Sequence, residues 1–265
     1  MRKYFALVKT SLKSSVAYRA DFLLWGLSEL LDTIVFIFIW LVIFGERNSI
    51  GGFTLAETIT YLIGVGIIGN LIYTWVGMDL EADIKSGQLS NTLIKPISYP
   101  LARVVSNIAE KPLDVFIRMV VYFIVSLFFA NKFILNTNTL YLLLTFLSII
   151  FAIMINYQIS FLFGCLAFWT TSTSRGIFGL LRTISSIFSG SYAPLTFFPI
   201  LFQTIASFLP FIYTRYFPML IYLKKISMLE TVKGIGIQIL WIFILYFVAK
   251  VVWKKGIRKY EGVGI

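Results

Sequence analysis

Long apolar segments are the feature of this sequence that most restricts its fold. A helix needs roughly 20 consecutive apolar residues to cross the hydrocarbon core of a bilayer. Segments of this kind occur at 22–44, 58–78, 112–130, 139–169, 177–193 and 234–253. Hydrophobic residue types make up 58% of the chain and charged types only 13%, roughly half the charged share of a soluble domain. The sequence therefore predicts an all-α integral membrane protein with six transmembrane helices.

The segment 194–232, between the fifth and sixth predicted spans, is apolar but is interrupted by prolines at 194, 199, 210 and 218. Proline lacks an amide donor and clashes with the preceding helical turn, so no straight helix crosses the bilayer here. The longest piece without proline, 200–209, covers about 15 Å as a helix, about half of a bilayer core. We expect short re-entrant or interfacial helices on the extracellular side, shielded by neighbouring spans.

The distribution of basic residues predicts the orientation of the chain. Most of the 23 basic residues lie on one side of the membrane if both termini are placed in the cytoplasm, as the positive-inside rule requires. Residues 1–21 alternate between an apolar stripe and a basic face with helical spacing. Such a helix is expected to lie flat on the anionic cytoplasmic leaflet. A simple positively charged anchor before the first span is the alternative.

The segment 80–111 is the largest predicted cytoplasmic loop. Gly87 is expected to stop a helix, Ser90 or Asn91 to cap a short following helix, and Pro96 to end it. Four apolar side chains form a small exposed knob in this interpretation: Leu89, Leu93, Ile94 and Ile97. A short helix with an apolar knob suits a groove on a soluble partner, and an ordinary connecting loop on the membrane surface is the alternative.

Two carboxylates lie inside the first predicted span. Glu29 and Asp32 are three residues apart and so share a helix face, and Asp32 lies about 15 Å deep, near the midplane. Trp25 and Phe36 bracket the pair by one turn on each side. Ionisable residues inside a membrane are functional candidates, and carboxylates between aromatic rings resemble a site for a hydrophobic cation.

Two arginines offer a structural interpretation of the same carboxylates. Arg118 in the third predicted span and Arg182 in the fifth lie about one or two turns from the cytoplasmic side. Either arginine could form an ion pair with Glu29, which lies at a similar depth. A carboxylate that lines a water-filled vestibule is a third interpretation, and Asp32 is the better substrate candidate because it lies deeper than either arginine.

The absence of histidine excludes His-based acid–base catalysis and His metal ligation. The single cysteine, Cys165, excludes an intramolecular disulfide and a cysteine metal cluster. An intramembrane aspartate protease would need two aspartates on separate spans; Asp32 and Asp114 could be proposed, but Asp114 falls at a membrane edge. An enzyme is therefore disfavoured, as is a non-transporting scaffold or assembly component.

The order of these features resembles the permease subunit of a type-2 ABC transporter of the exporter kind. The sequences that carry the resemblance are YRADFLLWGL at 18–27, SGQLSNTLIKPISYP at 86–100, the proline-broken 193–219, and RKYEGVGI at 258–265. The last is similar to the Tyr-Glu-x-x-Gly ending of one permease subgroup. The resemblance covers essentially the whole chain as one permease domain, with an elbow helix at 1–21, a coupling loop at 80–111 and a re-entrant region at 194–232.

The resemblance implies a function and a set of partners. It implies export of a small molecule or drug through a pathway of which this chain forms half, and the acidic pair of the first span favours an amphipathic or cationic compound. It implies two copies of an ABC ATPase, which would hold ATP and Mg²⁺, and a second permease, identical or paralogous. No G-x-x-x-x-G-K-[ST] motif is present, so no cofactor is expected on this chain. Location in the cell membrane of a prokaryote is implied, without nucleic acid as a partner. The residues implied to contact the ATPase are Gly87, Leu89, Leu93, Ile94, Lys95 and Pro96.

Overall fold

The computed structural model describes residues 19–94, 98–170 and 174–260, with the backbone alone at 19–26, 29, 110, 113, 114, 117, 121, 130 and 174–178. These residues are helical almost throughout. The helices are α1 (Arg19–Phe44), α2 (Leu55–Ile72), α3 (Val76–Lys85), α4 (Gln88–Leu93), α5 (Tyr99–Phe128), α6 (Thr139–Cys165), α7 (Ser174–Phe188), α8 (Ile200–Ser207), α9 (Tyr216–Tyr222) and α10 (Met228–Lys259). The predicted elbow helix at 1–21 lies almost entirely outside the described residues.

Within the described residues, three helical segments are long and apolar enough, by length and composition, to cross a membrane: Leu55–Lys85, Thr139–Phe168 and Met228–Lys259. Shorter apolar helical segments lie at Leu30–Phe44, Arg118–Phe128 and Gly179–Phe188, inside the other three predicted spans. The all-helical class is confirmed in the described residues. The number of six spans stays a prediction.

Successive long helices run in alternating directions, which gives the molecule two ends. At one end, Ser90 of α4 donates a hydrogen bond to the hydroxyl of Tyr260, just after α10 (3.3 Å). At the other end, Lys225 forms an ion pair with Glu57 in the first turn of α2 (2.6 Å). We call these the α4 end and the proline-rich end.

Two helices differ in extent from the predicted spans. The predicted span 58–78 lies within the helical segment Leu55–Lys85, but residues 73–75 interrupt that segment and separate α2 from α3. The third span was expected to begin at Pro112, but α5 begins at Tyr99 and contains that proline. Much of the predicted loop 80–111 is therefore helix. A proline inside a membrane helix is tolerated where neighbouring groups satisfy the freed carbonyl. The sequence pattern does not reveal whether such groups are present.

The proline-rich segment forms short helices, as expected. They are the 3₁₀ turns Leu195–Phe197 and Pro210–Tyr213 and the α-helices α8 and α9. The ring of Phe197 packs edge-on against those of Trp40 and Phe53, with centroids 4.7 and 5.8 Å away. This packing seats the segment on the ends of α1 and α2. Re-entry into the bilayer stays a prediction.

Helix α6 packs closely on α3 through two glycines. A Cβ atom placed on Gly164 would lie 2.6 Å from the carbonyl oxygen of Gly77. The obstructing atom belongs to the backbone, so the two helices would have to separate. Close helix approach through small residues is typical of membrane proteins, in which van der Waals packing drives association.

We expect Gly164→Ala to lower the stability of the chain by about 1–3 kcal/mol, the usual cost of overpacking. The measurement is the melting temperature of the purified chain in mild detergent. Gly236→Ala is the matched control, because a Cβ at Gly236 meets no atom within 4 Å. A Gly164→Ala protein that melts at or above the wild-type temperature would contradict the close packing.

Candidate functional site

The break between α2 and α3 is held by side chains from two other helices. The carbonyl oxygen of Ile72 accepts a hydrogen bond from Nδ2 of Asn156 on α6 (2.7 Å). That of Leu71 accepts one from Nζ of Lys111 on α5. Non-helical backbone at membrane depth is tolerated where protein groups satisfy it or where it lines a cavity. The break is therefore stabilised by specific hydrogen bonds from α5 and α6.

The amide groups that follow the break are also satisfied. The N–H of Gly77 donates to Oγ of Ser160 on α6 (3.1 Å), and that of Val76 to Oγ1 of Thr74 (3.3 Å). With these contacts α6 supports both sides of the break. An amide left without a partner in such a buried position would cost several kcal/mol, about the cost in lipid.

Arg118 lies beside the break and is 4% exposed. Its Nη1 donates to Oδ1 of Asn70 (2.5 Å), and its guanidinium lies 6.0 Å from the ring centroid of Tyr73. The predicted ion pair of Arg118 with Glu29 stays a prediction, since the side chain of Glu29 is not among those described.

Arg182 on α7 lies against the same tyrosine. Its guanidinium is 5.0 Å from the ring centroid of Tyr73, within the range of a cation–π contact. The side chain is exposed in the single chain. Among the described side chains no ion pair joins Arg182 to Asp32.

A cavity of about 290 Å³ lies between α1, α2 and α7. It brings together three of the residues singled out from the sequence, Asp32, Phe36 and Arg182. The other described lining residues are Thr33, Leu62, Val65, Gly66, Gly69, Tyr122, Thr183, Ser186, Ser191, Tyr192 and Arg215. The side chains of Trp25 and Glu29 are not described, so their place in the cavity stays a prediction.

A second cavity of about 90 Å³ adjoins the first and reaches the helix break. Both cavities are lined by Arg182, Ser186 and Arg215. Tyr73 and Thr74 of the break line the second cavity. The two cavities therefore connect the region of Asp32 with the point where α2 gives way to α3.

Arg215 is a site residue that the sequence analysis missed. It lies within the proline-rich segment, which was interpreted as short helices without a charged role. Its Nη1 donates to Oγ of Ser191. The sequence could have indicated it, because Arg215 lies inside an apolar segment, and an arginine in such a segment of a membrane protein is a functional candidate.

A short helix, α4, lies where the coupling helix was predicted, although two details of the prediction are wrong and its coupling role stays a prediction. Gly87 separates α3 from α4 with φ of 75°, a left-handed conformation that glycine adopts without strain. Helix α4 begins at Gln88, directly after Gly87, so Ser90 and Asn91 do not cap it. Leu89 is fully buried and is not part of an exposed knob, because it packs in the core between α3, α6 and α10.

The exposed tip of α4 is formed by Leu93 and Ile94, which are 38% and 84% exposed. Lys95, Pro96 and Ile97 lie outside the described residues. Their predicted part in a partner contact stays a prediction. The tip is therefore an apolar surface at the α4 end. Helix α4 is held in place by Leu89, which is buried in the core.

Aromatic and charged contacts anchor the α4 end. The ring of Tyr99 stacks on that of Trp253 (5.5 Å, 16° between planes), and its hydroxyl donates to Asp83 (2.6 Å). Burial, together with this hydrogen bond, raises the pKa of Tyr99 above its ordinary value, so the phenol stays protonated. Arg103 forms ion pairs with Asp79 (3.3 Å) and Asp83. These contacts join α3, α5 and α10 into one unit.

We expect Asn156→Leu to destabilise the chain by about 1–3 kcal/mol, because the Ile72 carbonyl would stay buried without this donor. The melting temperature in detergent measures the effect. Gln158→Leu on the same helix is the matched control, since Oε1 of Gln158 accepts no hydrogen bond within the described part of the chain. Equal melting temperatures for the two variants would show that the Asn156 contact does not support the break.

The geometry can now be compared with known proteins. No curated protein matches the chain. Residues 30–264 match the family described as ABC-2 family transporter protein. The match contains the described cavities, the helix break and α4, and it confirms the resemblance drawn from the sequence. The chain therefore belongs to the ABC-2 family of transporter proteins, the type-2 ABC transporter permeases.

Proposed function

We propose that this chain is the membrane-spanning permease of an ATP-driven exporter and forms half of its translocation pathway for an amphipathic small molecule. Family membership supports a permease component of an ABC transporter. The observation that supports the finer proposal is that the cavities reach the helix break, from which α3 leads to α4 and its exposed apolar tip.

The proposed topology has six spans, with both termini in the cytoplasm of a prokaryotic cell and the chain in its cell membrane. The α4 end then faces the cytoplasm and the proline-rich end faces outward. The basic residues of the last turn of α10, Arg258 and Lys259, lie at the α4 end, as the positive-inside rule favours. The elbow helix at 1–21 and the re-entrant segment at 194–232 belong to this proposal.

The proposed partners follow from what the chain lacks. Its sequence has no phosphate-binding loop motif, so a separate ABC ATPase, in two copies, would bind ATP and Mg²⁺. A second permease, identical or paralogous, would complete the pathway. We propose no cofactor, no catalytic residue and no nucleic-acid contact for this chain.

Coupling is proposed to run from the tip of α4 to the break. A groove on the ATPase would receive Leu93 and Ile94, together with Lys95 and Pro96. Gly87 allows the turn that presents α4, and Leu89 fixes α4 to α3, α6 and α10. Movement of the ATPase would shift this anchored unit relative to α2, because α2 and α3 are separate helices.

Two alternatives stay open to test. A scaffold without transport would use the same surface at α4 but would not need the cavity. The cationic substrate predicted from Trp25, Glu29, Asp32 and Phe36 is an alternative on the same pathway. The described cavity contains two arginines as well as Asp32, which favours a different charge on the substrate.

The first experiment is affinity purification of the tagged chain from its native membrane in mild detergent, followed by mass spectrometry. Recovery of an ABC ATPase in stoichiometric amount is the expected result. A second permease in the same eluate would distinguish a heterodimer from a homodimer. Absence of an ATPase, under conditions that preserve other transporters, would count against the proposal.

We expect Ile94→Asp to lower ATPase recovery at least ~10-fold, since charge at the centre of a small apolar contact removes most of its binding energy. Leu135→Asp is the matched control, because Leu135 is also exposed (75%) but lies at the proline-rich end. Both variants should be recovered at the wild-type level from the membrane. Equal ATPase recovery with the two variants would remove the tip of α4 from the contact.

A further inference from the structure

We propose that the cavity between α1, α2 and α7 binds an anionic group of the transported compound, a phosphate, sulfate or carboxylate, through Arg182 and Arg215. The proposal rests on the proposed permease function and deepens it by assigning a charge to the substrate. It replaces the cation expected from the carboxylates of the first span.

The charges of the described lining residues support an anion. Asp32, Arg182 and Arg215 line the larger cavity, so positive charges exceed negative ones. The smaller cavity is lined by the same two arginines, and its lining contains no acidic residue among those described. Positive potential is therefore greatest where the two cavities adjoin, at the residues they share.

The chemistry of these side chains also suits an oxyanion. A guanidinium group presents several N–H donors in a planar fork that matches two oxygens of a phosphate or carboxylate. Ser186 lines both cavities. Its hydroxyl group can donate a further hydrogen bond to the same oxygens. A cation would find only Asp32 as a charged acceptor among the described lining.

Both arginines are positioned by packing. The guanidinium of Arg182 lies on the ring of Tyr73, at 5.0 Å from its centroid. Arg215 donates to Ser191 and lies against α2, where a Cβ on Gly69 would come within 3.3 Å of its Cζ atom. Donors held in place by their surroundings bind an anion with less loss of conformational freedom.

The remaining lining suits an apolar body attached to the anionic group. Phe36, Leu62, Val65, Tyr122 and Tyr192 line the larger cavity. A cavity of about 290 Å³ lies near the lower limit of ligand pockets, and the second permease would enlarge it. An amphipathic anion fits this combination of rings, aliphatic groups and guanidinium groups better than an inorganic ion.

The test measures binding of two fluorescent probes with the same aromatic body and opposite charge, 1-naphthyl phosphate and 1-naphthylmethyltrimethylammonium. The full-length chain is placed in nanodiscs of neutral lipid, and fluorescence anisotropy gives the Kd after subtraction of empty nanodiscs. We expect the phosphate probe to bind at least ~10-fold more tightly than the ammonium probe, a difference of about 1.4 kcal/mol.

Three variants make the test specific. Arg182→Gln should weaken binding of the phosphate probe at least ~10-fold, and Arg182→Lys by less, because lysine keeps the charge but loses the fork. Asp32→Asn removes the one acidic side chain of the described lining and should tighten that binding. Tighter binding of the ammonium probe that Asp32→Asn abolishes, or phosphate binding unaffected by Arg182→Gln, would overturn the proposal.

Competition identifies the source of the anion. If inorganic phosphate displaces the probe as well as hexyl phosphate, a non-fluorescent amphipathic anion, does, the site takes a free anion and the amphipathic part of the proposal is wrong. Displacement by phosphatidylglycerol, added to the nanodisc, would identify a lipid headgroup as the anionic group. ATPase recovery with the wild-type chain separates this proposal from the permease proposal, since a wild-type chain that recovers the ATPase but does not bind the phosphate probe rejects only the anion site.

Discussion

Every backbone amide inside a bilayer must find its hydrogen-bond partner within the protein. Around residues 73–75, side chains of other helices supply these partners in place of the helix backbone. The break between α2 and α3 leaves carbonyl oxygens without helical partners. Lys111 and Asn156 donate to them from α5 and α6, and Ser160 accepts from the amide of Gly77 beyond the break. Because these bonds join α2, α3, α5 and α6, the break fixes the arrangement of the helices around it.

The same break separates two packed units of the molecule. On one side, α2 packs with α1, α5 and the proline-rich segment, where Tyr61 donates a buried hydrogen bond to the carbonyl of Gly190 (2.6 Å). On the other side, α3 and α4 pack with α6 and α10 around Leu89 and Trp253. Helix α6 contacts both units. A force on α4 therefore acts on α3, α6 and α10 together. A change in the smaller cavity would act next to this unit, because Tyr73 of the break lines that cavity.

Some of this arrangement is predictable from the sequence because it depends on local chemistry. Apolar length predicted the long helices, proline spacing predicted the short ones, and Gly87 predicted the turn before α4. The helix break was not predictable, since residues 73–75 contain no glycine or proline. It is stabilised instead by Asn156 and Lys111, which are distant in sequence. Burial of Leu89 and the meeting of Asp32 with Arg182 and Arg215 likewise depend on tertiary packing, which periodicity does not encode.

The polar character of the cavity comes largely from its arginines, and arginine is costly to place in a membrane. Placing a guanidinium at membrane depth costs about 2.5–3.5 kcal/mol on insertion scales, and filling the same space with apolar side chains would often stabilise the fold. Contacts of Arg118 with Asn70 and Tyr73 offset part of this cost. These contacts also lie beside the break. Arg182 is exposed in the single chain and lines both cavities, so the fold gains little from it. An anionic group bound at the proposed site would supply the opposite charge that offsets this cost.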